Sequence, residues 1–297
     1  MDPVPTSKAR RHHLIPQAYL RRFAADGRHL SVFDRRTRQF RTDGPANIAV
    51  ENDFNTLVAI DGTKEHWVEP RLARMESAAL KCFDKIEAGV ALTPEERWYT
   101  SFFLGYADTR GTGFREEHRD HQPTTGPLDK RFADAYAAAT GVYLPPPTLE
   151  RIIREEMAHL PTDRVTELGL MVGTAMEYAM HFARAPWVIA TSPPETAFLT
   201  SDRPLGMLRY DPDLHETLIE RDPRRPDTLT IFPLSPRRAI WILGIMEPGP
   251  PTNRVLPSTV VRLANRALAA HADRFVVAPD EDLLRAVVKD AGLVNDP

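Results

Sequence analysis

The sequence has little cysteine, little glycine and no long apolar run. Its one cysteine, Cys82, excludes an intramolecular disulfide and fits a reducing compartment. Only 15 glycines occur in 297 residues, so glycine-rich loops that cradle phosphate groups are not expected. No stretch approaches the roughly 18 apolar residues of a membrane span, and residues 1–20 contain no apolar signal run. These absences predict a cytoplasmic protein without a membrane partner.

The common catalytic motifs are absent as well. The sequence contains no Cys-x-x-Cys, His-Glu-x-x-His, Walker loop, Gly-x-Ser-x-Gly or Rossmann glycine fingerprint. Its hydrophobic fraction of 42% and charged fraction of 27% are ordinary for a globular protein. A chain of this length can therefore bury a sizeable core without a metal or a disulfide to hold it.

Charge is distributed unevenly, although the net charge is only −3. Residues 8–41 contain ten basic residues and two acidic ones, whereas residues 43–99 contain eleven acids and six bases. Such asymmetry is typical of a chain that contacts a polyanion, so we predict a nucleic-acid partner for the basic segment 8–41. The alternative is that the basic segment packs on the acidic one.

Hydrophobic periodicity predicts an α+β fold. Helices are predicted over 17–25, 64–88, 93–108, 129–140, 148–159, 163–185 and 259–271. Strands are predicted over 29–34, 39–41, 54–60, 187–190, 196–200, 228–232, 238–243 and 274–278. Because several links between the later strands are too short for crossover helices, that sheet should be mostly antiparallel. We expect a helical body of about five helices packed with a sheet formed largely by the C-terminal half. We also expect a single domain over 1–297, in which residues 1–185 are mainly helical and residues 186–297 are strand-rich.

An ordered set of short motifs covers nearly the whole chain. They are His12-His13-x-x-Pro16-Gln17-x-Tyr19-Leu20-Arg21-Arg22-Phe23, Glu51-x-x-Phe54, Val68-Glu69-x-x-Leu72-x-x-x-Glu76, Arg110, Thr200-Ser201-Asp202-x-Pro204, Pro233-x-x-Pro236, Asn265 and Arg274-Phe275-Val276. In this order the motifs resemble domain-of-unknown-function family 4238, which is widespread in bacteria. The chain departs from the family pattern at Asn55 and at Gly111-Thr112. The resemblance implies a shared fold and brings no assigned activity.

Histidines and carboxylates among these motifs are the candidates for chemistry. His12 and His13 are adjacent and point in different directions, so at most one is expected to ligate or catalyse at a given site. The alternative is a solvated histidine pair, or a contact to the helix that opens at Pro16. Asp202 follows a strand and precedes a proline turn, where a rigid sheet can present a carboxylate. Its alternative role is to shape that turn.

Two helices carry further candidates. Glu69 and Glu76 share a helix face but lie about 10 Å apart along it, too far to chelate one ion together. A salt bridge on the helix surface is the alternative, and we favour it for Glu76. Glu177 and His181 are spaced i, i+4, which suits joint metal binding or an ordinary surface pair.

These residues lead to a hypothesis of metal-dependent hydrolysis of a phosphodiester, as in a nuclease. The catalytic candidates are His12, His13, Glu69 and Asp202. The metal ligands for a divalent ion of unspecified identity would come from His13, Glu69, Glu177, His181 and Asp202. Substrate phosphate would be bound by Arg21, Arg22, Arg110 and Arg203. Two alternatives remain open: a metal-dependent enzyme acting on a small molecule, and a non-catalytic protein that binds nucleic acid or regulates.

Overall fold

The computed structural model describes residues 11–52, 54, 56–65, 68–117, 143, 145–148, 151, 155, 158–159, 161–211, 213–214, 216–244 and 252–294. For residues 11, 65, 68–71, 162–166 and 216 it describes the backbone alone. The chain divides into two compact units. Unit 1 comprises residues 1–12 and 51–180, and unit 2 comprises residues 13–50 and 181–297. The prediction of a single domain over 1–297 stays a prediction.

The described helices and strands have the following bounds. The helices are α1 (Gln17–Leu20), α2 (Val68–Glu87), α3 (Pro94–Thr109), α4 (Thr112–Glu117), α5 (Thr162–Arg184), α6 (Ser258–His271) and α7 (Glu281–Asp290), with 3-10 turns at Arg21–Phe23 and Pro45–Asn47. The strands are β1 (Arg11–His13), β2 (Leu30–Asp34), β3 (Gln39–Asp43), β4 (Val50–Asn52), β5 (Leu57–Val58), β6 (Lys64–Glu65), β7 (Trp187–Thr191), β8 (Thr200–Ser201), β9 (Gly206–Asp211), β10 (Glu216–Ile219), β11 (Thr228–Pro233), β12 (Arg238–Leu243), β13 (Thr252–Val255) and β14 (Phe275–Ala278).

Unit 2 contains a six-stranded sheet of order β10-β9-β11-β12-β7-β13. All neighbours pair antiparallel except β13, which runs parallel to β7. Successive side chains of a strand point to opposite faces of the sheet, and Ile231 of β11 and Ala239 of β12 contribute to the core formed with Val261 and Ala264 of α6. This sheet is the mostly antiparallel sheet that the strand-rich C-terminal half predicts.

A second sheet in unit 2 has the order β3-β2-β14-β8 and joins distant segments of the chain. The N-terminal hairpin β2–β3 enters it through antiparallel pairing of β2 with β14. On one face, Phe33 and Val276 pack with Leu268 of α6 and Leu284 of α7. Each large apolar side chain removed from water in this way contributes about 1.5–3 kcal/mol. Helix α6 therefore contributes to the cores of both sheets.

Unit 1 is built around α2, α3 and α5. A capping box opens α3, in which the Thr93 hydroxyl accepts from the Glu96 backbone and the Glu96 carboxylate accepts from the Thr93 backbone. Tyr106 of α3 shares a core with Met171 and Ala175 of α5. Helix α3 approaches α5 closely at Gly105, where an added Cβ would lie 2.5 Å from the Ala175 carbonyl oxygen. Only glycine fits at this crossing.

The structure confirms the α+β fold class and differs from the predicted elements at several places. Helix α2 begins at Val68 rather than 64 because Lys64–Glu65 pair with Leu57–Val58. Strands β9, β10 and β13 and helix α7 were not predicted. The predicted helix over 129–140 and most residues of the predicted helix over 148–159 lie outside the described residues. No described helix combines the length and hydropathy that crossing a membrane requires.

Gly105 offers a test of the packing in unit 1. Gly105→Ala should destabilise the protein by about 1–3 kcal/mol, because the methyl group collides with the backbone of α5. Gly169→Ala on α5, with no atom within 4 Å of the added Cβ, should instead stabilise by about 0.5–1 kcal/mol through helix propensity. Urea unfolding of both variants measures these changes. Equal effects of the two substitutions would contradict the close crossing.

Candidate functional site

A cluster of charged side chains lies at one end of the four-stranded sheet of unit 2. Asp34 is the last residue of β2 and lies opposite Phe275, the first residue of β14. Asp202 directly follows β8, whose Ser201 pairs with Val276. Three strand termini therefore meet here, and their polar side chains are fixed by the register of the sheet. We call this place the sheet end.

Asp34 is buried, with its side chain only 2% exposed, and is surrounded by donors. The Arg274 guanidinium donates from Nε at 3.1 Å and from Nη2 at 2.8 Å to Oδ2 of Asp34. Oδ1 accepts the backbone N–H groups of Arg36 at 3.0 Å and Thr37 at 3.3 Å. Burial raises the pKa of Asp34, but these donors outweigh burial and hold its pKa below the ordinary value.

Arg41 of β3 is a second guanidinium beside the same carboxylate. Its Nη1 lies 3.7 Å from Oδ2 of Asp34, and its Nε lies 3.3 Å from Oδ2 of Asp43. The guanidinium carbons of Arg41 and Arg274 lie 5.3 Å and 4.5 Å from the centre of the Phe275 ring. Both side chains remain about one-third exposed, at 35% and 36%. Two partly exposed guanidinium groups are thus held against a buried carboxylate and an aromatic ring.

Asp202 holds the backbone that leads into β14. Its Oδ1 accepts from the Asp273 N–H at 3.1 Å, and its Oδ2 accepts from those of Arg274 at 2.9 Å and Phe275 at 3.1 Å. Burial, together with the negative charge of Asp273, raises the pKa of Asp202 to about 7, while the three N–H donors act in the opposite direction. In this arrangement the Asp202 carboxylate shapes the chain that positions Arg274.

Two more arginines belong to the sheet end. Arg203 is buried, and its Nη1 lies 3.7 Å from the Asp273 carboxylate. Arg35 donates from Nη1 to the Ala270 carbonyl at 3.3 Å and also to the Ala272 carbonyl, at the C-terminus of α6. A cation is favourable there because the last carbonyl groups of a helix carry partial negative charge. These two guanidinium groups serve the packing of unit 2.

The arginines that face outward lie along the β2–β3 hairpin. Arg28 precedes β2, and Arg36 and Arg38 form the turn between the strands. All three are exposed, and none makes an ion pair with a described residue. We define the hairpin surface as Arg28, Arg36, Arg38, Arg41 and Arg274. Because β3 is an edge strand, no further strand of the described sheet covers this side of the hairpin.

Other residues of the motifs bond to one another within unit 2. The Tyr19 hydroxyl donates to the Pro233 carbonyl at 2.7 Å and lies 2.8 Å from the Thr200 hydroxyl. Arg22 donates from Nε to the Leu234 carbonyl at 2.9 Å. Asn265 accepts from the Leu199 N–H at 3.1 Å and donates to the Ala197 carbonyl at 2.8 Å. These bonds account structurally for much of the motif set, since each satisfies a polar group in the core.

Several predicted site residues lie in unit 1. His12 is buried in β1, Glu69 lies on α2 with its backbone alone described, and Glu177 is exposed on α5. Arg110 is 2% exposed and forms an ion pair with Glu76. Its guanidinium carbon lies 5.0 Å from the centre of the Tyr106 ring. The Arg110–Glu76 pair connects α3 to α2, and a substrate-binding role for Arg110 stays a prediction.

The remaining predicted residues lie in unit 2. Arg21 is exposed, His13 is half-buried in β1, and His181 is half-buried one helical turn after Glu177. Burial lowers the pKa of His181. Of the predicted substrate and catalytic residues, Asp202 and Arg203 both adjoin Asp273 at the sheet end. Among the residues that the structure describes, no group of three or more His, Cys, Asp or Glu side chains is arranged to hold a metal ion.

Sequence reasoning misses three charged residues of the sheet end, Asp34, Asp273 and Arg274. The sequence places Asp34 at the end of a strand and Arg274 in a motif, but it offers none of the three as a site residue. A charged residue at a strand terminus, here Asp34 and Arg274, is the signal that could have found them. Asp34 and Arg274 lie 240 residues apart in the sequence, so the ion pair between them cannot be predicted from local spacing.

Comparison with known proteins identifies a family and no activity. The family model described as "Protein of unknown function (DUF4238)" matches residues 11–282. No curated protein and no solved structure matches the chain. The match spans the motifs on which the resemblance is based, including both sides of the sheet end.

Asp202 generates a prediction about stability and pH. Its pKa rises from 3.8 to about 7 on folding, so its contribution to stability is present at low pH and is lost as the pH rises through about 7. Between about pH 5 and about pH 8, the unfolding free energy of the wild type should therefore fall by about 2–4 kcal/mol more than that of Asp202→Asn. Urea unfolding across this range measures the difference.

The control for this prediction is Asp213→Asn, because Asp213 is exposed in the turn after β9. That variant should keep the pH dependence of the wild type. If Asp202→Asn also keeps it, Asp202 is ionised throughout the range and the backbone donors dominate its pKa.

Proposed function

This chain belongs to the DUF4238 family, and we propose that it binds the phosphate backbone of nucleic acid through the hairpin surface. The observation that carries the proposal is the exposure of Arg28, Arg36 and Arg38, which make no ion pair with a described residue. Arginines without an acidic partner attract a polyanion. Each phosphate that such an arginine neutralises releases cations that were condensed on the nucleic acid, which favours binding. Arg41 and Arg274, each about one-third exposed, extend the same surface.

The dimensions of the hairpin support contact with several phosphates. Arg28 and Arg36 lie at opposite ends of the five-residue strand β2. With a rise of about 3.3 Å per residue, this strand is about 17 Å long. Duplex DNA carries one phosphate charge per about 1.7 Å of its axis, so a surface of this length faces more than one phosphate. Contacts of this kind would fix the position of nucleic acid and would not read its base sequence.

The acidic groups near the hairpin leave this surface net basic. Asp34 and Asp43 oppose Arg41 and Arg274, which balances two positive charges with two negative ones. When Asp26, just before Arg28, is counted as well, two of the three positive charges of Arg28, Arg36 and Arg38 remain as the excess of the hairpin surface. Within the acidic stretch 43–99, Glu76 forms an ion pair with Arg110 and Glu96 forms one with Lys85, and neither of these bases belongs to the basic segment 8–41.

A second candidate function is metal-dependent hydrolysis of a phosphodiester. The observation in its favour is that the Asp202 carboxylate accepts the Asp273 and Arg274 backbone N–H groups at the sheet end, and that the negative charge of Asp273 raises the pKa of Asp202. A divalent ion bound between carboxylates could activate water beside a bound phosphate. We rank this candidate second because Asp202 already accepts three backbone hydrogen bonds.

The double variant Arg36→Ala/Arg38→Ala tests nucleic-acid binding. Its affinity for a labelled duplex of about 20 base pairs should fall, and the slope of log K against log salt should lose about 1–2 units. Fluorescence anisotropy over a salt series from about 50 mM measures both quantities. Arg254→Ala on the exposed strand β13 is the control and should behave as the wild type. Equal affinity of all three proteins would remove the hairpin from the interface.

Elemental analysis tests the second candidate. Hydrolysis through the carboxylate pair predicts about one divalent ion per chain after loading with manganese, zinc or iron, and loss of that ion in Asp202→Ala. His13→Ala, analysed in parallel, reports whether that histidine is a ligand. A protein that carries no metal after loading would eliminate this candidate and would leave the binding proposal intact.

A further inference from the structure

Asp34 is the residue on which the geometry of the hairpin surface converges. Its carboxylate bonds the Arg274 side chain and the backbone N–H groups of Arg36 and Thr37. It also lies 3.7 Å from the Arg41 guanidinium. A single buried group therefore contacts three of the five arginines of that surface, two through side chains and one through the backbone.

We propose that Arg41 and Arg274 form a preorganised fork for a backbone phosphate and that Asp34 is its positioning residue. This inference rests on the proposed function of the hairpin surface and assigns the contact within it. Guanidinium groups match phosphate oxygens through pairs of parallel N–H donors, which requires fixed planes rather than charge alone. The Asp34 carboxylate bonds the Arg274 guanidinium and Asp43 bonds that of Arg41, and both guanidinium groups lie over the Phe275 ring beside Asp34.

Preorganisation gives the fork a physical advantage over flexible exposed arginines. A long side chain that is ordered only on binding loses rotamer freedom, and this loss weakens binding. Arg274 is already held by Asp34, and Arg41 is held by Asp43 and lies 3.7 Å from Asp34, while 35% of the Arg41 side chain and 36% of the Arg274 side chain remain exposed. Arg28, Arg36 and Arg38 would supply attraction at longer range, and the fork would supply the fixed contact.

Substitution of Asp34 separates positioning from charge. Asp34→Asn removes one negative charge, so a surface that acts by charge alone should bind a polyanion more tightly. If Asp34 acts by positioning, the same variant should bind a duplex of about 20 base pairs about 5–10-fold more weakly, with a salt slope smaller by about 1–2 units. The opposite signs make the two explanations distinguishable in one titration.

Asp26→Asn is the matched control. Asp26 is exposed just before β2, and its carboxylate bonds the Arg28 and His29 backbone and the His29 ring, with no described hydrogen bond to Arg41 or Arg274. This variant loses the same charge and should bind as tightly as the wild type, or more tightly. Circular dichroism and urea unfolding establish that each variant is folded before binding is measured.

Arg274→Lys provides a second variant that keeps the Asp34 charge partnered. It preserves the formal charge and removes the planar donor fork, so the proposal predicts weaker binding, whereas Arg254→Lys on the exposed strand β13 should bind as the wild type. The proposal is overturned if Asp34→Asn binds as tightly as the wild type, or if Arg274→Lys is indistinguishable from Arg254→Lys. If the wild type fails to bind the duplex at about 50 mM salt, the proposed function fails and the fork fails with it.

Discussion

The antiparallel pairing of β2 with β14, closed by the Asp34–Arg274 ion pair, is the constraint on which unit 2 depends. Burying a carboxylate costs several kcal/mol unless donors surround it, and Asp34 meets that requirement with guanidinium and backbone N–H groups. The donors come from both sides of the pairing, Arg36 and Thr37 from the hairpin and Arg274 from the C-terminal strand. A shift of β2 against β14 by one residue would leave this buried charge without its partners.

The same logic extends to the other motif residues of unit 2. Tyr19, Arg22 and Asn265 each bond a backbone carbonyl of a segment far away in sequence, and Asp202 bonds three consecutive N–H groups. These polar groups specify which segments lie together, while the apolar faces of α6 and α7 supply the burial that stabilises them. A motif that looks catalytic in the sequence can therefore have a structural task, and at Asp202 the bonding pattern favours that task.

The sequence predicts elements better than it predicts partners. The helical periodicity of α2, α3 and α5 and the short apolar segments of β11 and β12 are local features of the sequence, so they can be recognised there, and the α+β class follows from them. Helix α7 has an equally local signal in the Asp280 cap and the spacing of Leu284, Val287 and Val288, and it was overlooked. The joining of the N-terminal hairpin to β14 was not predictable, because nothing near Asp34 in the sequence indicates Arg274. The sequence identifies a basic segment over 8–41 but does not say which of its arginines face outward. Only the fold separates arginines that bond backbone carbonyl groups, such as Arg35 and Arg22, from the exposed arginines of the hairpin.

A double-mutant cycle on Asp34 and Arg274 tests the central claim most directly. The free energy of unfolding would be measured for the wild type, Asp34→Asn, Arg274→Gln and the double variant by urea titration. We predict a coupling energy of about 2–3 kcal/mol, as expected for a contacting pair in which the Asp34 carboxylate is buried and accepts from Nε and Nη2 of Arg274. Additive effects within about 0.5 kcal/mol would mean that the two residues do not meet, and would contradict the pairing on which the sheet end and the hairpin surface are built.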